Sequence, residues 1–190
     1  MMARRLFLFG FAAALLTAFG CSNGGDSGAP APGPALQCGD ASPAAANAVT
    51  LKCGGSTDGM TEQVNVVMGG PASLTTTLRG FNFDVIYDPS KLEFVSATSD
   101  TSDLFPSTAL FSAALFSGQP GQLVVSIQQV GGVPDVVVDA GQHVALSLSF
   151  RRVAGATFAP TPLDFDPASA EATDASAAIS FASGLTLAYQ

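Results

Sequence analysis

Residues 80–97 read GFNFDVIYDPSKLEFVSA, and their first half alternates without a fault. Phe81, Phe83, Val85 and Tyr87 share one side of an extended chain, while Asn82, Asp84, Ile86 and Asp88 share the other. Burying each large apolar side chain is worth about 1.5–3 kcal/mol, so the Phe81 side must lie against a core. Asp88-Pro89-Ser90 ends the strand, because proline fixes φ and has no N–H for a ladder. A second strand follows at once, Lys91 to Ala97, carrying Leu92, Phe94 and Val95.

The same grammar continues on both sides. Val49 to Cys53 is a short strand open to pairing with a late one, and Glu62 to Met68 alternates Val64, Val66 and Met68. Gln122 to Val130 sets Leu123, Val125 and Ile127 against Val124, Ser126 and Gln128. His143 to Arg152 sets Val144, Leu146, Leu148 and Phe150 against Ala145, Ser147 and Ser149. Ala109 to Phe116 fits a strand or a helix. Val136 to Val138, Leu163 to Phe165 and Ile179 to Tyr189, the last interrupted by Gly184, complete the series. About nine strands with frequent turn signals and no amphipathic helix predict an all-β, antiparallel two-sheet sandwich over residues 47–190.

Ahead of it, Arg4 and Arg5 precede an apolar run from Leu6 to Phe19, then Gly20 and Cys21. That is a secretory signal over residues 1–20, too short for a comfortable transmembrane helix. Ala18-Phe19-Gly20-Cys21 resembles a bacterial lipobox, with Ala18 where leucine is commonest, which makes Cys21 the lipidated mature N-terminus. Arg4-Arg5-Leu6-Phe7-Leu8 also resembles a twin-arginine signal, but the strong apolar run favours ordinary export. Residues 21–46, rich in Gly, Pro, Ala and Ser without apolar periodicity, read as a disordered tether. The expected location is the cell envelope, as a membrane-anchored lipoprotein; Ser22 after Cys21 resembles lipoproteins sorted to an outer membrane.

The chain has three cysteines. With Cys21 lipidated, Cys38 and Cys53 remain as a pair in an oxidising compartment. The alternative leaves Cys38 unpaired in the tether. Without Arg4 and Arg5, 7 less 2 leaves 5 basic residues against 15 acidic ones, a formal −10 that argues against nucleic acid.

Catalytic chemistry finds little footing. His143 is the one histidine and stands at a strand start, so it reads as an exposed edge residue rather than a triad member. Asp84 and Asp88 lie on one strand face, not across a cleft as glycoside hydrolysis requires. Asp100, Asp103, Asp135, Asp139, Asp164 and Asp166 fall in loops but lack the D-x-[DN]-x-[DN]-G calcium spacing. No cofactor, metal or catalytic residue is expected.

Taken together, Gly80 through Val95 resembles the cohesin family's G-F-x-F-x-[LV]-x-Y-D-P-[SA] strand and its L-x-[FV]-V successor. Gly121-Gln122-Leu123-Val124-Val125-Ser126-Ile127, Gly141 through Arg151, and Ile179 through Leu187 resemble later family strands in the right order. Gly59-Met60-Thr61-Glu62 departs from the family's usual G-D or G-E turn. The resemblance implies a nine-stranded jelly roll, close to some carbohydrate-binding modules. It also implies dockerin binding on one flat face from the third, fifth, sixth and eighth strands. Mapped here, that face holds Asn82, Asp84, Val124, Ser126, Gln128, Ala145, Ser147 and Ser149, with the fifth strand unassigned.

The expected function is therefore a non-catalytic, lipid-anchored module with a protein partner of dockerin type. The alternatives are a carbohydrate-binding module for polysaccharide, or a purely structural envelope domain. Sugar platforms use exposed aromatics. This chain has no Trp, and Tyr87, Tyr189, Phe105, Phe111 and Phe116 read better as core.

Overall fold

The computed structural model describes residues 35–40, 46–56, 58–70, 75–156, 159–182 and 184–189, and none of them is helical. In chain order the strands begin with β1 (Leu36–Asp40), β2 (Ala48–Ser56), β3 (Thr61–Met68), β4 (Thr76–Leu78) and β5 (Gly80–Ile86). Next come β6 (Leu92–Thr98), β7 (Leu110–Leu115), β8 (Gln122–Gln128), β9 (Val136–Val138) and β10 (His143–Arg152). The last are β11 (Thr161–Phe165), β12 (Glu171–Thr173), β13 (Ser180–Ala182) and β14 (Leu185–Tyr189). The segment expected as a signal peptide, Cys21 and most of the segment expected as a tether lie outside the described residues.

Two sheets face each other. One orders β1-β14-β11-β5-β8-β7, with β12 also on β5; the other orders β13-β2-β3-β10-β6, and β4 and β9 form a separate ribbon. The Phe81 strand, β5, is central, and Phe81, Phe83, Val85 and Tyr87 are all buried between the sheets. Leu123, Val125 and Ile127 of β8 join them from the same sheet. Val64, Val66 and Met68 of β3 and Leu146, Leu148 and Phe150 of β10 close the core from the other. Rings meet edge to face: Phe83 with Phe165 at 5.1 Å, Phe165 with Phe181 at 5.4 Å, Tyr87 with Phe150 at 5.3 Å.

Two glycines, Gly80 and Gly121, are required by close approach. A Cβ on Gly80 would stand 2.2 Å from the Ile127 carbonyl oxygen, so only glycine lets β5 begin against β8. Gly121 has φ +85°, and a Cβ there would meet the Tyr87 carbonyl oxygen at 2.3 Å. Its own carbonyl accepts the Tyr87 N–H at 2.9 Å, which ties the end of β5 to the start of β8. Between β5 and β6, the Asp88 carboxylate accepts the Ser90 N–H at 2.9 Å and the Ser90 hydroxyl at 2.6 Å. The Ser90 hydroxyl and then its N–H, with Lys91 adding at 3.2 Å, hold the Asp88 carboxyl below its ordinary range.

Three expectations need correction. The boundary at residue 47 is too late. Leu36–Asp40, inside the segment read as tether, forms β1 antiparallel to β14, with Leu36 buried. The ladder and Leu36 supply what that segment's own composition lacks. The sandwich is not wholly antiparallel, since β13 pairs parallel with β2. And the final run from Ile179 to Tyr189 is two strands in different sheets, β13 in one and β14 in the other. The break falls at Gly184, whose φ of 126° an L side chain rarely adopts. The extra short strands β1, β4 and β12, with the division of the last run into β13 and β14, bring the count above the nine or so read from the sequence.

Cys38 and Cys53 are joined by a disulfide with Cα atoms 5.6 Å apart. The bond runs from β1 in the larger sheet to β2 in the smaller. Beside it the Asp40 carboxylate accepts the Cys53 N–H at 2.8 Å and stands 3.7 Å from the Lys52 ammonium.

Candidate protein-binding face

Side chains of β5 alternate between core and outer surface, and register carries that alternation across the larger sheet. Asn82 stands opposite Ser126 of β8, Ser126 opposite Ser112 of β7, and Asn82 opposite Glu171 of β12. The next row runs Ala114, Val124, Asp84; the row on the other side runs Leu110, Gln128, Gly80, Thr173. These rows make one outward surface, polar at its centre and apolar toward β7.

A hydrogen-bonded line fixes the centre. The Ser126 hydroxyl donates to Asn82 Oδ1 at 2.7 Å, and the Asn82 amide donates to Thr173 Oγ1 at 3.5 Å. Around it Val124 is 40% exposed and Leu110 is 64% exposed. Glu171 is exposed and Asp164 partly so, and none of the outward positions on β7, β8, β5, β11 and β12 is Lys or Arg. Arg79, just ahead of β5, is engaged with Asp135 at 3.2 Å and Asp174 at 3.8 Å. The other cations among the described residues, Lys52, Lys91, Arg151 and Arg152, belong to β2, β10 or the turn into β6. The face thus has a polar centre, an apolar side toward β7 and an acidic margin.

The structure divides the eight mapped residues. Asn82, Val124, Ser126 and Gln128 share this outer face. Asp84 shares its parity but is covered. The chain leaves β11, loops across residues 166–170 and returns as β12, bonding Asp166 N–H to the Asp84 carbonyl and Asp84 N–H to Ser169 Oγ. The Asp84 carboxylate accepts the Gln122 amide, so it anchors the sheet rather than meeting a partner. Ala145, Ser147 and Ser149 belong to β10, in the other sheet. Ala145 and Ser147 are buried as well. The segment after β6 folds back there, with Thr101 and Ser147 hydroxyls 2.8 Å apart and Ser147 donating to Asn65 at 2.7 Å.

Strand alternation was readable; sheet membership was not. The place assigned to β10 is held by β11 and β12, which bring Asp164, Glu171 and Thr173. Those strands are short and broken by the Asp166-Pro167 turn, so their periodicity gave little signal. The unassigned segment 109–116 is an edge strand, β7, and supplies Leu110, Ser112 and Ala114. Its apolar residues fall on both parities, which hid its outward side. Phe116, read as core, is 50% exposed, whereas Phe105 is buried 5.3 Å from Phe81. The Tyr189 side chain lies outside the described residues.

His143 is half-buried rather than fully exposed, with Nε2 2.8 Å from Asp139 and Nδ1 3.9 Å from Asp103. Among the described residues the one grouping at metal-ligating distance is Cys38, Asp40 and Cys53, and its two sulfurs are consumed by the disulfide.

No protein-family model matches the chain, and no curated protein sequence matches it. Solved structures do share its fold. The sixth cohesin of scaffoldin B from Acetivibrio cellulolyticus, in complex with a Cel5 dockerin variant, aligns with TM-score 0.56 and 15% identity. That alignment covers 74% of this chain and 97% of the other. CaCohA2 in complex with the dockerin CaDoc0917 aligns with TM-score 0.54 and 20% identity over 72% of this chain and 96% of that one. The solution structure of CaCohA2 from Clostridium acetobutylicum gives 0.51 and 19% over 74% and 90%. The sandwich is a cohesin fold.

Proposed function

We propose that this chain is a non-catalytic protein-binding module that takes a dockerin-type partner on the outer face of the larger sheet. The observation that carries the reading is that face itself: Asn82, Ser126 and Val124 presented in register, beside an apolar edge and an acidic margin. The fold adds support, because several cohesins that share it were solved in complex with dockerins. A partner matched to this face presents an apolar surface bordered by Lys or Arg, since the face offers no cation of its own. Polysaccharide binding has less support: Phe116 is the one strongly exposed aromatic among the described residues.

The test is capture of proteins from the source organism's secretome on the immobilised chain, with Val124→Lys as the paired control. Lysine there adds bulk and the wrong charge to the centre of the face while leaving the core untouched. Wild type is expected to retain a dockerin-bearing protein and the variant at least tenfold less of it. Equal capture by both, or retention on insoluble glycans in place of any protein, overturns the reading.

The anchoring belongs to the same proposal. The basic start, the apolar run to Phe19 and the lipobox-like Ala18-Phe19-Gly20-Cys21 support lipidation at Cys21 and an envelope location. Metabolic labelling with palmitate should mark the wild-type chain and not Cys21→Ser.

A further inference from the structure

No charged residue occurs between Asp103 and Asp135, in a chain whose formal charge is −8. That uncharged stretch contains β7 and β8, and β7 is the last strand of its sheet. Edge strands are ordinarily blunted by lysine, proline or a bulge, because their open N–H and C=O groups template further pairing. None of these is present in residues 110–116, LFSAALF, and the β7–β8 register is unbroken. Of the large apolar side chains exposed among the described residues, Leu110, Leu115 and Phe116 all belong to this edge, at 64%, 55% and 50%.

From these observations we propose that β7 is a self-association edge, pairing antiparallel with β7 of a second copy of this chain. The register follows from the backbone. Phe116 N–H donates to Gln122 C=O within the hairpin at 2.9 Å. Leu110, Ser112 and Ala114, of the same parity, therefore direct their N–H and C=O to β8, and Phe111, Ala113 and Leu115 direct theirs to the open edge. A twofold axis perpendicular to the sheet keeps outward residues opposite outward residues only when it passes through a like pair. Centred on Ala113, the axis sets Phe111 against the partner's Leu115, Ser112 against the partner's Ala114, and Leu110 against the partner's Phe116. Small residues meet at the centre, large apolar ones at both ends and on both faces, with about six new backbone hydrogen bonds.

The second copy is favoured over a foreign strand by this self-complementarity and by charge. Two acidic chains meet here across the longest uncharged stretch each possesses, so pairing adds no close like-charge contact. Val124, Ser126 and Asn82 stay outside the contact, so the inference does not depend on the dockerin reading.

Sedimentation equilibrium of the full chain from about 5 to about 500 µM should show one chain's mass rising toward two. Hydrogen exchange over the same range should protect the amides of Phe111, Ala113 and Leu115. Ser112→Lys, exposed and outside the core, should remain a monomer throughout with an unchanged melting temperature. Ala113→Pro should do the same by removing the central N–H. Leu110→Lys alone should weaken the dimer, and adding Phe116→Glu should restore a salt-sensitive one through two crossed ion pairs. A monomer at every concentration overturns the proposal. So does a dimer whose three amides stay unprotected, or one that persists in Ser112→Lys.

Discussion

Opening the Cys38–Cys53 bond should cost this domain about 3 kcal/mol. The two cysteines are separated by 15 residues. In the chain-entropy relation a loop of that size removes about 10 cal/mol/K from the unfolded ensemble, hence about 3 kcal/mol at room temperature. The folded state adds little to that figure. β1 keeps its ladder to β14, Leu36 stays buried, and Leu36 N–H still donates to Gly59 C=O at 2.8 Å. For a domain of this size the loss corresponds to a fall of about 6–12 °C in melting temperature. The assay is urea unfolding followed by far-UV circular dichroism, with and without reductant, alongside Cys38→Ala/Cys53→Ala. The midpoint should fall, and the urea slope should rise slightly because the freed chain exposes more surface on unfolding. A midpoint unmoved by reduction, with two titratable thiols demonstrated, would refute the reasoning.

Other expectations are equally direct. Gly121→Ala should destabilise by about 2 kcal/mol or more, since it forces a side chain into a left-handed backbone against the Tyr87 carbonyl; thermal unfolding reads it. Burial pushes the Glu62 carboxyl above its ordinary value, with the Gly55 N–H opposing. The fold therefore prefers the protonated acid, a preference present at low pH and lost as pH rises through the raised value. Glu62→Gln should accordingly melt higher than wild type at pH 7 and equal it near about pH 4. Asp88 has the opposite sign: its turn contacts help above the ordinary carboxylate value and fade as pH falls through the lowered one. The melting difference between wild type and Asp88→Ala should then narrow in acid.

How far the chain could be read depended on whether the information was local. The alternation over Phe81–Tyr87, the Asp88-Pro89-Ser90 turn and the apolar parity of β8 and of β10 from Leu146 onward are local and stand in the structure. A register shift between Val144 and Leu146 breaks the β10 parity at its start, with Ala145 in the core in place of Val144. The position of β1 is not local. Leu36–Asp40 has one large apolar residue, and it becomes a strand because β14 pairs with it and Cys53 bonds to it. Sheet membership is likewise a property of topology. Ala145 and Ser147 have small side chains at outward parity, which reads as a flat open surface. The segment around Thr101 instead closes over Ser147, and the register shift between Val144 and Leu146 takes Ala145 into the core. Asp84 shows the same limit in reverse: its parity reads as open, but its carboxylate is taken by the Gln122 amide and its backbone by the distant 166–170 loop.

The inter-sheet disulfide also sets how the domain carries a mechanical load. A pull on the chain ahead of Leu36 would peel β1 from β14, starting at the Leu36–Tyr189 pair and moving to Gln37–Ala188. The next residue is Cys38, and there the peeling stops, because a covalent bond passes the force to Cys53 and so into the second sheet. β2 is flanked by β3 on one side and β13 on the other, so the load enters an interior strand that must shear past both neighbours instead of unzipping from an edge. Under tension from the chain ahead of β1, this domain behaves as though its handle were attached to an interior strand of the smaller sheet.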